Sequence, residues 1–230
     1  LTITGTWTTS DEDPASRGID ATHRDTTDTA TPAKISLTTT FTDLTIHYIA
    51  KGGNGEFRYR VDAGGWTTVN TDNGGTEAAA FTTLTPVSDA SHTFELEILS
   101  AGSNGIRICG LDATRSGNNV IVHRLGNSGA EVQDIVDVDA TMWEAQLAEL
   151  DPTALVVLFG TNECQASINP TTFGTNLTTL ITRARAAVPL IDIILYSPGD
   201  NDAVSSYGMD EYDAEMLTVA QAQSCTYLSG

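Results

Sequence analysis

Ala154-Leu-Val-Val-Leu-Phe-Gly-Thr-Asn-Glu163 is the stretch that decides the fold. Its apolar run, Leu155 to Phe159, ends at Gly160 and has the length and continuity of a strand buried on both faces. Such strands are usually parallel, and they deliver the residues that follow them to the carboxyl edge of the sheet. Open α/β folds bind their ligands at that edge. We therefore expect Asn162 and Glu163 to lie where chemistry is done.

A second stretch upstream has the same form. The β-branched run Val120-Ile-Val122 predicts a short strand, and it leads into the turn Gly126-Asn-Ser-Gly-Ala130. The glycines and the asparagine allow a tight turn with backbone amides facing outward, and a helical pattern begins near Ala130. The sequence thus predicts two strand-to-turn edges, each ending in small polar residues, that face one pocket.

The chain from residue 119 onward alternates helices with strands. Apolar residues at helical spacing and helix-start signals predict helices over Val132–Asp137, Ala140–Leu150, from Asn169-Pro170 onward, and Asp210–Gln223. Strands are predicted over Ile191–Tyr196 and Thr226–Leu228. This alternation is typical of an α/β layer fold.

Residues 1–118 have a different pattern of apolar and polar residues. This pattern predicts an all-β domain, namely a sandwich and more specifically a jelly roll. Alternating apolar and polar residues predict strands over residues 1–7, 35–41, 44–49, 56–61, 93–99 and 106–111, separated by glycine-rich turns. Three aromatic residues of this domain, Trp7, Tyr59 and Trp66, are candidates for stacking on sugar rings, although such residues more often pack in a core or at its rim.

The Gly126-Asn-Ser-Gly129 turn, followed about thirty residues later by Gly160-Thr-Asn-Glu163, resembles the second and third sequence blocks of the SGNH (GDSL-like) hydrolases. The resemblance covers residues 119–230 and implies a flavodoxin-like, three-layer α/β domain, incomplete in this chain, beside the β-sandwich. It also implies an ester hydrolase that uses no cofactor or metal. The Gly129 backbone N–H and the Asn162 side-chain amide match the family's oxyanion hole.

The family's other two blocks are absent from this sequence. There is no Gly-Asp-Ser block to supply the nucleophile, and no histidine follows His123 to serve as the base. Asp20-Ala-Thr-His23 has the spelling of the Asp-x-x-His block, but it precedes the other blocks in what reads as a polar loop, so we interpret it as a chance match. The nucleophile and base therefore stay unassigned.

The predicted chemistry is acyl transfer, which builds negative charge on a carbonyl oxygen. Preorganised donors at that oxygen each contribute about 3 to 4 kcal/mol to lowering the barrier. Gly129 lets a substrate approach the backbone, and the amide of Asn162 donates without losing a proton. Ser128 is interpreted as a further backbone donor and Glu163 as an acceptor of backbone N–H bonds that orients the loop; a plain turn and a solvated acid are the alternatives.

Composition excludes several classes of partner. A formal net charge of −19, from 30 acidic and 11 basic residues, argues against binding nucleic acid or anionic membranes. No apolar run reaches the ~20 residues of a membrane span. Cys109, Cys164 and Cys225 are too few and too scattered for a disulfide framework or a zinc site, and free thiols are expected.

Three hypotheses follow. The first is a carbohydrate esterase or deacetylase acting on acylated glycans, whose Ser and Asp-His blocks lie outside residues 1–230 and whose sandwich is an insertion between the first two blocks. The second is a catalytically inactive glycan-binding or structural protein of a virion or surface filament. The third is a hydrolase completed by another chain in a homo-oligomer. Because the acidic composition suits solubility in salty or extracellular surroundings, we expect an extracellular or virion-surface protein.

Overall fold

A computed structural model describes residues 1–11, 17–28, 32–117, 120–199 and 205–230. The chain divides into two compact units. The first holds Leu1–Asp11 and Thr22–Leu125, and the second holds Ile19–Ala21 and Gly126–Gly230. The domain boundary predicted at residues 118 and 119 falls outside the described residues.

The first unit consists of two five-stranded antiparallel sheets. The order of one sheet is β1-β4-β9-β6-β7 and the order of the other is β2-β3-β10-β5-β8. The strands are β1 Thr2–Thr4, β2 Thr8–Asp11, β3 Thr22–Thr26, β4 Lys34–Phe41, β5 Asp43–Ala50, β6 Asn54–Val61, β7 Thr67–Asn70, β8 Ala78–Thr83, β9 Ala90–Gly102 and β10 Ile106–Thr114.

One apolar core joins the two sheets of this unit. One sheet contributes Phe41, Phe57, Phe94 and Leu96, and the other contributes Ile46. All five are nearly inaccessible to solvent. The alternation of apolar and polar residues places every second side chain in this core. The predicted strands of β4, β5, β6, β9 and β10 are confirmed.

The loop predicted around Asp20-Ala-Thr-His23 is wrong in part, because Thr22–Thr26 forms strand β3. Its sequence, Thr-His-Arg-Asp-Thr, has no apolar alternation. Strand β3 instead pairs with β2 on one side and β10 on the other. Backbone pairing with two neighbours thus overrides a polar sequence.

In its described residues, the second unit contains a three-stranded parallel sheet in the order β11-β12-β13 and five helices. The strands are β11 Ala154–Val157, β12 Asp192–Tyr196 and β13 Thr226–Leu228. The helices are α1 Val132–Asp137, α2 Ala140–Leu150, α3 Thr161–Gln165, α4 Pro170–Ala187 and α5 Met209–Gln223. None of the helices in the described residues has the length and apolarity needed to cross a bilayer.

Helix ends in this unit are set by capping residues. The side chain of Asp139 accepts the Met142 N–H at the start of α2. Asn169 accepts the Thr171 N–H at the start of α4, where Pro170 occupies the first helical position. The predicted helices at α1, α2, α4 and α5 are confirmed.

Only one face of the parallel sheet is covered in the described part of the chain. Val157, Ile193 and Leu195 face a core that they share with α4 and α5. The opposite face carries four apolar side chains that are 39–61% exposed, namely Val156, Leu158, Tyr196 and Leu228. The expectation that the Leu155–Phe159 run is buried on both faces is therefore wrong. The described residues supply two of the three predicted layers.

The strand predicted at Val120-Ile-Val122 is also wrong. These residues pair with no strand, and their exposed fractions are 92%, 53% and 84%. β-branched residues favour a strand only when a neighbouring strand and a packing surface are present, and this run has neither among the described residues.

Candidate active site

Two of the predicted site residues, Asn162 and Glu163, lie on the short helix that follows β11. Gly160 has φ of +123°, a conformation that L side chains rarely adopt. A Cβ there would lie 3.5 Å from Pro198 and 3.7 Å from Met209, which are ordinary van der Waals contacts, so the backbone conformation and not crowding favours glycine. The chain can thus turn sharply at Gly160 into α3, which places Asn162 and Glu163 at the carboxyl edge of the sheet.

A hydrogen bond joins the two predicted turns. The Asn162 side-chain nitrogen donates to the carbonyl oxygen of Ala130 over 2.8 Å. Ala130 directly follows Gly129, which is exposed and has φ of +95°. A carboxamide nitrogen carries two hydrogens, and the second has no acceptor among the described residues. The structure therefore places the side-chain amide of Asn162 beside the turn that contains Gly129.

The side chain of Glu163 connects the same two segments through hydrogen bonds. One carboxylate oxygen accepts the Val132 N–H over 2.7 Å, and the other accepts the Gly160 N–H over 2.9 Å. Val132 begins α1, just after the Gly129 turn, and Gly160 precedes α3. Glu163 is 2% exposed, so it orients the site without contacting solvent, and the expected backbone N–H bonds are present.

The surroundings of Glu163 disfavour its charged form. Burial raises the pKa of Glu163, the N–H bonds from Val132 and Gly160 lower it, and nearby Asp134 raises it further. Tyr212 also lies close, because its hydroxyl is 3.1 Å from the backbone carbonyl oxygen of Glu163 and nearer still to that of Ile168, and it can donate its one hydrogen to either. Burial raises the pKa of Tyr212 to about 12, so this tyrosine donates at neutral pH. Tyr212 reads in sequence only as an apolar position of α5 and was missed.

A cavity of about 190 Å³ opens at the same edge of the sheet. It lies between the residues that follow β12, the residues that follow β13, and the first turn of α5. Pro198 and Met209 line it, and both approach Gly160. The cavity therefore adjoins the loop that carries Asn162.

Replacing Glu163 by glutamine tests this arrangement through pH. Since the folded pKa of Glu163 is raised, its ionisation costs stability, and the cost appears as pH rises from about 4.5 through the folded pKa. The free energy of unfolding of the wild type, relative to Glu163→Gln, should therefore decrease over that range. Urea denaturation between pH 4 and 8 measures it.

The exposed acid Glu149, changed to glutamine, is the control for simple loss of charge. If the wild type instead gains stability relative to Glu163→Gln as pH rises, the two backbone hydrogen bonds outweigh burial and the argument is wrong. The amide proton shifts of Val132 and Gly160 in NMR spectra should titrate together with Glu163.

The other predicted residues take simpler positions. Ser128 is exposed beside Gly129. His23 is buried on β3, where one ring nitrogen lies 3.1 Å from Asp25 and the other accepts the Arg17 N–H over 3.2 Å. Both ring nitrogens of His23 thus have partners. None of the three cysteines forms a disulfide, and Cys164 is the buried one.

The candidate aromatic residues separate into two groups. Trp7 and Tyr59 pack against the core of the first unit, and Tyr59 stacks on Phe94. Trp66 instead lies beside the guanidinium groups of Arg58 and Arg60, at 4.5 and 4.4 Å from its ring centroid. Trp7 also donates its indole N–H to the carbonyl of Thr4 over 3.0 Å, whereas the partners of Trp66 are two charged side chains.

Solved structures similar to this chain include two esterases and an acyltransferase. One is a peptidoglycan O-acetylesterase, at 16% identity and a TM-score of 0.59, covering 99% of this chain and 64% of that chain. Another is a family two carbohydrate esterase from Clostridium thermocellum, at 14% identity and a TM-score of 0.37, covering 99% of this chain and 88% of that chain. A third is a salicylyl-acyltransferase from a tetracycline biosynthetic pathway, at 13% identity and a TM-score of 0.38, covering 100% of this chain and 80% of that chain.

At these identities, the likeness to the peptidoglycan esterase shows a shared fold. The chain spans 64% of the length of that esterase. No curated protein matches the sequence. The sequence model of the GDSL-like Lipase/Acylhydrolase family matches residues 99–229, which include both predicted blocks and more than half of the chain. This chain therefore belongs to the GDSL-like lipase/acylhydrolase family.

Proposed function

We propose that this chain is the larger part of a carbohydrate esterase that removes acyl groups, acetyl groups above all, from glycans. The observation that carries the proposal is the 2.8 Å bond from Asn162 to Ala130, which holds the Asn162 amide beside the Gly129 turn. Family membership supports ester hydrolysis. The similar solved structures include esterases of peptidoglycan and of carbohydrates, which support a glycan substrate.

In this proposal the site stabilises the oxyanion. When a nucleophile attacks the ester carbonyl, charge develops on the carbonyl oxygen. The Gly129 N–H and the free hydrogen of the Asn162 amide donate to that oxygen, and the geometry is fixed before the reaction begins. Glu163 holds both segments, so the donors do not reorganise. The nucleophile and the Asp-His pair come from segments outside residues 1–230.

Acetate release tests this function. The complete polypeptide should release acetate from acetylated xylan or from peptidoglycan, whereas residues 1–230 alone should not, because they lack the nucleophile and base. A complete polypeptide that contains both missing blocks yet releases no acetate from either polymer would refute the proposal and favour a glycan-binding or structural role.

The third hypothesis, completion by another chain, makes a different prediction. A homo-oligomer would place a partner's histidine within hydrogen-bonding distance of the site, and residues 1–230 would then be active on their own at concentrations where they associate. An extracellular or virion-surface location is part of the proposal. The net charge of −19 supports it, since such a charge favours solubility in salty surroundings.

A further inference from the structure

The outward face of the β1-β4-β9-β6-β7 sheet carries a concentrated group of polar side chains around one aromatic ring. We call it the Trp66 surface, and its members are Lys34, Arg58, Arg60, Trp66, Glu95 and Glu97. The register explains the grouping, because Lys34, Glu97 and Arg58 lie side by side on β4, β9 and β6. Glu95 and Arg60 form the next row.

The charged members of the Trp66 surface are paired in a fixed geometry. Arg60 contacts Glu95 over 2.6 Å, and Glu97 receives Arg58 over 2.9 Å and Lys34 over 3.1 Å. Three cations therefore face two anions. The whole chain has only 11 basic and 30 acidic residues, so the Trp66 surface is more basic than the chain average. A second group of cations, Arg17, Lys51 and Arg107, surrounds Glu77 elsewhere in the first unit.

The indole of Trp66 is held in place and partly open. Trp66 lies next to Thr67, which pairs with Tyr59, so its ring reaches the guanidinium groups of Arg58 and Arg60 on the same face. Cation–π contacts of this kind fix the orientation of the ring. Trp66 is half-buried, and the rest of its surface is available to a ligand.

The Trp66 surface also has unused hydrogen-bonding capacity. The Arg58 and Arg60 side chains are 31% and 27% exposed, and Glu95 is 29% exposed. A guanidinium has five N–H donors and a carboxylate accepts at about four positions, so one ion pair leaves several of each free. The Nε of Arg58 is buried and has no partner among the described residues, so the donors open to a ligand are the terminal nitrogens of the two guanidinium groups.

We propose that the Trp66 surface binds a polysaccharide of pyranose sugars. The apolar face of a pyranose stacks on an indole, and its hydroxyl groups both donate and accept hydrogen bonds. Glu95 accepts from such hydroxyls and Arg58 and Arg60 donate to them. The rows of charge span three strands, about 10 Å, which is room for more than one sugar ring. The proposal deepens the glycan specificity proposed above and assigns binding to a surface of the first unit.

Binding is measured on residues 1–230 by calorimetry and by tryptophan fluorescence. The probes are cellohexaose and xylohexaose as neutral chains and hexagalacturonate as an anionic one. We expect at least one of them to bind with a Kd below about 1 mM. Trp66→Ala should weaken that binding at least tenfold and remove the fluorescence change, and Arg60→Met should weaken it too. Stronger binding of hexagalacturonate than of the two neutral chains would show that the cations contribute more to the binding free energy than stacking on Trp66 does.

The control is Trp7→Phe, which alters a tryptophan packed on the core of the same unit and should leave binding unchanged. Trp66→Phe keeps an aromatic ring and should retain part of the affinity, which separates stacking from any effect on folding. No binding of the three probes at 5 mM, or equal binding by the wild type and Trp66→Ala, would overturn the proposal. Either result is independent of acetate release, so it leaves the proposed esterase function to its own test.

Discussion

Asn162→Ala should lower kcat for ester hydrolysis by the complete polypeptide by about 10²- to 10³-fold, the usual loss when one oxyanion donor is removed. The KM should change little, because the amide acts on charge that develops only in the transition state. Asn162→Asp keeps the size of the side chain but places an acceptor where a donor is needed, so it should be at least as slow. Steady-state kinetics on an acetylated glycan measure both variants.

Asn169→Ala provides the matched control for the Asn162 variants. Asn169 also stands at the start of a helix, where it caps α4 by accepting the Thr171 N–H over 2.9 Å. Its loss should cost about 1 kcal/mol of stability and leave kcat unaltered. A kcat for Asn162→Ala within threefold of the wild type would remove Asn162 from the oxyanion hole.

Arg183→Met should have the largest effect on stability, a loss of about 3 kcal/mol. Arg183 is 6% exposed, and it donates to the carbonyl of Val136 over 2.9 Å and of Val138 over 3.0 Å. These carbonyls lie at the end of α1, where helical partners are missing. The variant leaves them buried without a donor. Burial of the guanidinium is unfavourable and lowers the pKa of Arg183. Because Arg183→Met removes this buried charge, part of the loss is offset.

Urea denaturation measures this loss, with Trp143 as the reporter because Arg183 lies 5.1 Å from its ring centroid. A background of Trp7→Phe and Trp66→Phe makes Trp143 the only tryptophan, so the fluorescence follows the second unit. Arg185→Met, on the same helix and with only long contacts to Ser224 and Cys225, should cost less than about 1 kcal/mol. Equal midpoints for Arg183→Met and Arg185→Met would contradict the argument.

The sequence predicts the elements whose signals are local. Helix α4 begins at Asn169 and Pro170 because both the cap and the first helical residue are encoded there. It mispredicts elements that depend on distant partners. Val120-Ile-Val122 has the composition of a strand but no neighbour among the described residues. Thr22–Thr26 has no strand signal, yet it pairs on both sides.

In the candidate site, too, local features can be predicted from the sequence and long-range contacts cannot. The two turns with Gly129 and Asn162 are recognisable because glycine and asparagine are placed at the ends of apolar runs. The bond from Asn162 to Ala130 joins residues that are 32 positions apart. Sequence spacing contains no information about which carbonyl accepts that amide. Arg183 likewise reads as a polar residue of an amphipathic helix, and only packing reveals that it caps α1.

The uncovered side of the parallel sheet affects how residues 1–230 behave when they are purified. Val156, Leu158 and Leu228 are each about half exposed or more, and Tyr196 on the strand between them is 39% exposed. Water-exposed aliphatic patches of this kind promote association between molecules. The apparent molar mass of the isolated segment, measured by light scattering, should therefore rise with protein concentration. Leu158→Lys should suppress that rise while the fold is kept.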